Sequence, residues 1–179
     1  MTNLQFLVLK NKYVFLEPFK EKYITNSFVN SLNNKDINKY LDIRKKKQTK
    51  KTALKYYLDR LKNKDYYYAI IENKNSKLIG TITLRITEGY GDIGNMICNK
   101  KYFGTLESKI AFQIFLDFSF KTLNLNKIYA GTEKNNISSN FNLTINNFKL
   151  IQKTKNIFTF MLRKKNYSKK INYKIINNK

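Results

Sequence analysis

Asp92-Ile93-Gly94-Asn95-Met96-Ile97-Cys98 opens a stretch that runs through Lys100-Lys101-Tyr102-Phe103-Gly104-Thr105-Leu106-Glu107-Ser108 and closes on Asn146-Asn147-Phe148. Residues 93–98 read as a strand. The glycine and small polar residues that follow read as a turn. Residues 109–123 then repeat Ile110, Ala111, Ile114, Phe115 and Phe118 at the spacing of one helical stripe. Lys127-Ile128-Tyr129-Ala130 is a second short strand. Two strands joined through a helix favour parallel pairing, because a direct antiparallel return needs only a short turn. Phe141, Leu143 and Ile145 mark a further short helix before Phe148.

Working outward, residues 66–71 and 78–86 are β-rich runs joined by Glu72-Asn73-Lys74-Asn75-Ser76-Lys77, an antiparallel hairpin. A turn at Glu88-Gly89-Tyr90-Gly91 leads from it into the strand at Ile93, giving a three-stranded meander. Towards the N-terminus, residues 4–9 and 13–16 form a second predicted hairpin across Lys10-Asn11-Lys12. Tyr23, Ile24, Phe28, Val29 and Leu32 predict a helix over residues 20–32, and Ala53, Leu54, Tyr57, Leu58 and Leu61 predict another over 52–61. Asp36 is placed to cap a short helix between them. The basic run at residues 44–51 is a solvated loop or the start of the next helix. After Phe148, residues 148–153 and 156–162 alternate well enough for a terminal hairpin.

The composition bounds the chemistry. At 179 residues and 42% hydrophobic content, one folded domain over residues 1–164 is expected, with a basic tail at 165–179 that is frayed or adds a short element. One cysteine and no histidine exclude an internal disulfide, a histidine dyad and the usual zinc cages, so no metal is expected. Proton transfer falls to carboxylates, tyrosine, lysine, backbone or water. No apolar run approaches the length of a membrane span, and the N-terminus lacks the pattern of a signal peptide, so a cytoplasmic protein is expected. The net charge of +23 raises nucleic acid or an anionic surface as partners. The lysines are dispersed, however, as a compositional bias would leave them.

The order strand, turn, long helix, strand, short helix, with Asn136, Ser139 and Asn147-Phe148 at their spacing, resembles the cofactor-binding half of the GNAT superfamily of N-acetyltransferases. The resemblance extends over residues 14–162. It implies an α+β fold: a mixed, mostly antiparallel sheet of about six or seven strands flanked by helices, with one parallel pair splayed at the cofactor site. It further implies acetyl-CoA as co-substrate. The backbone of Met96, Ile97 and Cys98 would hold the pantetheine arm, and the turn Tyr102, Phe103, Gly104, Thr105, Leu106, Glu107, Ser108 would receive the pyrophosphate. Asn136 would lie near the pantetheine and Ser139 would help start its helix. Leu106 stands where relatives carry a glycine, so its side chain must point away from the phosphates. Leu143 stands where many carry a tyrosine.

For a general base, the carboxylates nearest the predicted cleft are Glu88 and Asp92. The N-terminal half, Phe15-Leu16-Glu17-Pro18 through Ile43-Arg44, is similar to the opening of relatives that acetylate amino sugars on nucleotide-linked glycan precursors, and more loosely to the ribosomal-protein alanine acetyltransferases. That likeness implies Tyr40 and Arg44 on the acceptor side. The expected activity is acetyl transfer to a primary amine on such a nucleotide-linked sugar. The alternatives are acetylation of a protein N-terminus, which calls for an acidic groove, and a GNAT-shaped binding protein without catalysis; a nucleic-acid binder ranks third.

Overall fold

In the computed structural model, residues 4–168 and 171–177 are described. Among these residues nine strands form one sheet: β1 (Leu7–Lys10), β2 (Val14–Pro18), β3 (Tyr66–Glu72), β4 (Lys77–Thr87), β5 (Tyr90–Ile97), β6 (Lys127–Glu133), β7 (Lys149–Lys153), β8 (Ile157–Arg163) and β9 (Lys174–Asn177). Their order across the sheet is β7-β8-β6-β5-β4-β3-β2-β1-β9. Every pairing is antiparallel except that of β5 with β6. The mixed sheet is as expected, but it has nine strands rather than six or seven. One of the additional strands is β9, drawn from the basic C-terminal residues and paired with β1 from Leu7↔Asn177 to Lys10↔Lys174.

Five α-helices accompany the sheet: α1 (Asn26–Asn33), α2 (Lys35–Asn38), α3 (Lys50–Lys62), α4 (Leu106–Lys121) and α5 (Ile137–Ile145). α1 starts six residues later than the apolar spacing suggests. Lys20 and the Tyr23 hydroxyl are drawn to the Glu17 carboxylate, which holds residues 21–23 in a 3-10 turn, and Thr25 then caps α1 by accepting from the Phe28 N–H. α2 is capped by Asn34, which accepts from the Asp36 N–H at 2.9 Å, and not by Asp36 itself. Thr49 and Thr52 close a reciprocal cap that fixes the start of α3. Asn147 takes the left-handed conformation at φ +64°, where the sequence called for a helix stop, and the Phe148 N–H donates back to the Leu143 carbonyl at 3.1 Å.

Two cores sit on the two faces of the sheet. On one face α4 buries Ile110, Ala111, Ile114, Phe115 and Phe118 against Tyr68, Ile82, Leu84 and Ile93. On the other, α1 and α3 bury Phe28, Leu32 and Ala53 against Tyr67, Ala69 and Ile71. Full burial of one such aliphatic or aromatic side chain stabilises by roughly 1.5–3 kcal/mol. The strand alternation that feeds both cores leaves Arg85, Thr83 and Thr81 of β4, and Asp92, Gly94 and Met96 of β5, on the α1–α3 face.

Candidate active site

The parallel pair is short. β5 and β6 are in register only at Tyr90↔Lys127, Gly91↔Ile128 and Asp92↔Tyr129, while β5 continues to Ile97 and β6 to Glu133. Beyond Asp92 the two strands part. The Cys98 N–H donates to the Ile79 carbonyl at 2.8 Å, and the β4–β5 register then turns the backbone groups of residues 92, 94, 96 and 98 towards β4. The backbone groups of Asn95 and Ile97 therefore face the gap. Of the expected trio, Ile97 keeps this orientation, whereas the backbones of Met96 and Cys98 are used by β4 and Asn95 takes their place.

Two cavities meet at this gap and share Leu41, Asn95 and Met96. The first, about 590 Å³, runs from Asn95, Met96 and Ile97 past Phe103, Gly104 and Ser108 to Asn136, Ser139 and Phe141 of the α5 side. The second, about 470 Å³, lies on the α1–α3 face over Arg85, Asp92, Gly94 and Met96, walled by Phe28, Tyr56 and Tyr67.

At the end of the first cavity, Gly104 adopts φ +68°, a conformation that admits glycine without strain, and α4 begins two residues later. Thr105 occupies the cap position, but its hydroxyl donates to the Tyr102 carbonyl at 3.1 Å and caps nothing. The N–H groups of Leu106, Glu107 and Ser108 thus start the helix without a side-chain cap, the arrangement that favours an anion. Leu106 is 50% exposed and lines neither cavity, so its side chain points away as required. The Glu107 side chain likewise lines neither. Tyr102 and Thr105 also stay outside the lining; burial and the nearby Glu72 and Glu107 carboxylates push the Tyr102 phenol up. Cys98 packs behind β5 on the α1–α3 core, where burial pushes its thiol up to about 12, away from thiolate character.

Met96, Ile97, Phe103, Gly104, Ser108, Asn136 and Ser139 are brought together on the first cavity. Asn136 is the cap of α5, its side chain accepting from the Ser139 N–H at 3.2 Å. Leu143 is only 4% exposed and belongs to the core, not to the cavity.

On the second cavity Asp92 lies directly across from Arg85. Partial burial raises the Asp92 carboxyl from its ordinary value, and Arg85 opposes that rise. Such a carboxylate is suited to accept a proton. Glu88 is not part of this site: it sits at the β4–β5 hairpin tip at φ +48°, exposed, and lines neither cavity. Tyr40 lines the first cavity rather than the second. Arg44 lines neither; it pairs with Glu133 at 2.5 Å and donates to the Leu41 carbonyl. With Lys100 on Asp36 at 2.7 Å, this pair ties the segment carrying α2 to both sides of the gap.

Asn95, Arg85, Gly94 and the α5 residues Ile137 and Phe141 complete the site and carry no motif. Arg85 was within reach of the sequence, since a turn at Glu88-Gly89 sets Thr87↔Tyr90 and hence Arg85↔Asp92. Among the described residues there is no cluster suited to a metal ion and no helix long and apolar enough to cross a membrane.

A sequence model of the acetyltransferase (GNAT) domain matches residues 14–141. No curated relative matches the chain. Among solved structures, a GNAT-family acetyltransferase from Bacillus anthracis superposes with a TM-score of 0.77 at 18% identity, over 88% of this chain and 99% of that one. A spermidine N-acetyltransferase from Vibrio cholerae, in complex with CoA and spermine, gives 0.74 at 17% identity over 88% and 99%. FdhC, a nucleotide-linked sugar GNAT in its apo form, gives 0.67 at 21% identity over 89% and 92%.

Proposed function

The chain belongs to the GNAT acetyltransferases, and within that family we propose that it transfers the acetyl group of acetyl-CoA to a primary amine on a nucleotide-linked amino sugar. The observation that carries this reading is the meeting of two cavities at Asn95 and Met96, one leading to the uncapped start of α4 and the other to Asp92 and Arg85. Acetyl-CoA supplies an activated thioester when bound. The N–H groups of Leu106, Glu107 and Ser108 receive its pyrophosphate, with Gly104 allowing close backbone approach. The backbone of Asn95 and Ile97 extends β5 along the pantetheine, as a strand pairs with an added strand.

The acceptor enters over Gly94. Asp92 lies two residues away, about 7 Å along the strand. From there its carboxylate takes a proton from the ammonium before the free amine attacks the thioester, directly or through one water, and solvent protonates the departing CoA thiolate. The rest of the acceleration comes from holding amine and thioester in line at the junction, since positioning alone is worth several kcal/mol. Tyr40 and Leu41 roof that junction from the α2 segment and keep bulk water from the thioester.

The amino-sugar assignment is favoured over acetylation of a protein N-terminus because the latter calls for an acidic groove, and the second cavity carries Arg60 and Arg85 against Asp42 and Asp92. Calorimetry with acetyl-CoA followed by a screen of nucleotide-linked amino sugars tests the proposal. Binding and release of free CoA thiol with such an acceptor are expected. No acetyl-CoA binding at millimolar concentration would leave a GNAT-shaped binding protein instead.

A further inference from the structure

Arg60 and Arg85 are the cations on the second cavity among the described residues, and their circumstances differ. Arg60 is committed: it pairs with the buried Asp65 at 2.8 Å and stacks over the Tyr56 ring at 4.9 Å. Arg44, expected from the sequence to grip the acceptor, is committed to Glu133 and lies outside both cavities. Arg85 makes no ion pair among the described residues, is solvent-exposed, and shares its sheet face with Asp92 and Gly94. Its guanidinium offers five donors in a planar fork.

Resting on the acetyl-transfer reading above, we propose that Arg85 is the specificity-determining residue of the acceptor cavity and reads an anionic group carried by the same molecule as the amine. The strand geometry sets the spacing. Arg85 stands opposite Asp92, so the anion lies roughly 5–10 Å from an amine seated over Gly94. Sugar phosphates, sugar diphosphates and amino acids whose amine lies several carbons from the carboxylate meet that description. A polyamine does not, since it would bring further positive charge to an arginine on a chain of net charge +23. The same net charge draws anionic acceptors towards the cavity and slows the approach of polycations.

The test compares the unaltered protein with Arg85→Met and Arg85→Lys, using UDP-glucosamine, glucosamine 6-phosphate, 4-aminobutyrate, glucosamine and spermidine as acceptors. Binding is read by calorimetry and transfer by thiol release. At least one of the three anionic probes is expected to bind better than glucosamine and spermidine. Its affinity and KM should worsen about 10- to 100-fold in Arg85→Met, with kcat within a few fold, and recover partly in Arg85→Lys. The three anionic probes distinguish diphosphate, phosphomonoester and carboxylate sources. Preference for glucosamine or spermidine, no binding of any anionic probe at millimolar concentration, or equal binding by Arg85→Met overturns the proposal. Acetyl-CoA binding, measured on the same samples, separates the two readings. Its absence removes the acetyl-transfer assignment, whereas its presence with an indifferent Arg85 removes only this one.

Discussion

Gly94 offers a substitution that should raise stability and weaken acceptor use together. An added Cβ there meets nothing within 4 Å, and the residue does not use the left-handed backbone region, so no strain opposes a larger side chain. A glycine inside a strand costs about 0.5–1 kcal/mol in conformational entropy, and a β-branched residue is favoured there by an amount of that order. Gly94→Val should therefore stabilise the fold by roughly 0.5–1 kcal/mol, or raise Tm by about 1–4 °C at this chain length. The three added carbons, at about 30 Å³ each by comparison with a water, fill roughly 90 Å³. That is near one fifth of a cavity of about 470 Å³, and it falls where the proposed reading seats the amine. Thermal unfolding, calorimetry with acetyl-CoA and acceptor kinetics on one preparation give all three readouts. Higher Tm, unchanged acetyl-CoA binding and an acceptor KM raised tenfold or more are expected. A lower Tm refutes the packing argument, and unchanged acceptor kinetics refute the placement of the amine over Gly94.

Further perturbations reach other parts of the reading. Asp92→Asn should lower kcat/KM by about 10²–10⁴. In the unaltered protein the proposed base is inactivated as pH falls through a carboxyl value raised by burial. The acidic limb of the pH–rate profile should therefore lie above the ordinary carboxylate range and disappear in the variant. Arg60→Met leaves Asp65, only 2% exposed, as a buried charge without its partner, and should cost about 3–5 kcal/mol, read as a lower denaturant midpoint at constant m. A fall below 1 kcal/mol would show that the pair is not structural. Tyr167→Ala removes a ring 5.2 Å from that of Phe120 and a hydroxyl that donates to the Gln113 carbonyl at 3.3 Å, and should lower stability by about 1–3 kcal/mol. No change would mark the C-terminal residues as a dispensable appendage.

Much of the fold was legible because it is written in local periodicities. The stripe from Ile110 to Phe118 predicts α4, the hairpin runs predict β3, β4 and β5, and Asn147 marks the end of α5. The misplaced start of α1 is different in kind. Tyr23 and Ile24 keep helical spacing, and only Glu17, on the preceding strand, holds them in a 3-10 turn. β9 was illegible for the same reason, since its partner lies at the other end of the chain.

The site was less legible than the fold. The left-handed Gly104 before α4 and the Asn136 cap of α5 are sequence-local features that a sequence shows directly. The alternation that makes Asn95 and Ile97 face the gap depends on the register with β4. The removal of Arg44 from the acceptor side depends on Glu133, almost ninety positions later. Charged side chains near a cleft can be listed from a sequence, but which are already taken is decided by partners that only the fold supplies.

The pairing of β1 with β9 also has a temporal consequence. Leu7–Lys10 leaves the ribosome well before Lys174–Asn177, which lies some 160 residues further along the chain. At roughly 5–20 residues per second, the outer edge of β1 waits some 10–30 s for its cover. During that interval the nascent chain displays an open edge, guarded only by Lys10, to every other strand in its surroundings. Delay before Lys174–Asn177 is made, rather than weakness of the core, is then the stage at which newly made chains are most exposed to pairing with one another.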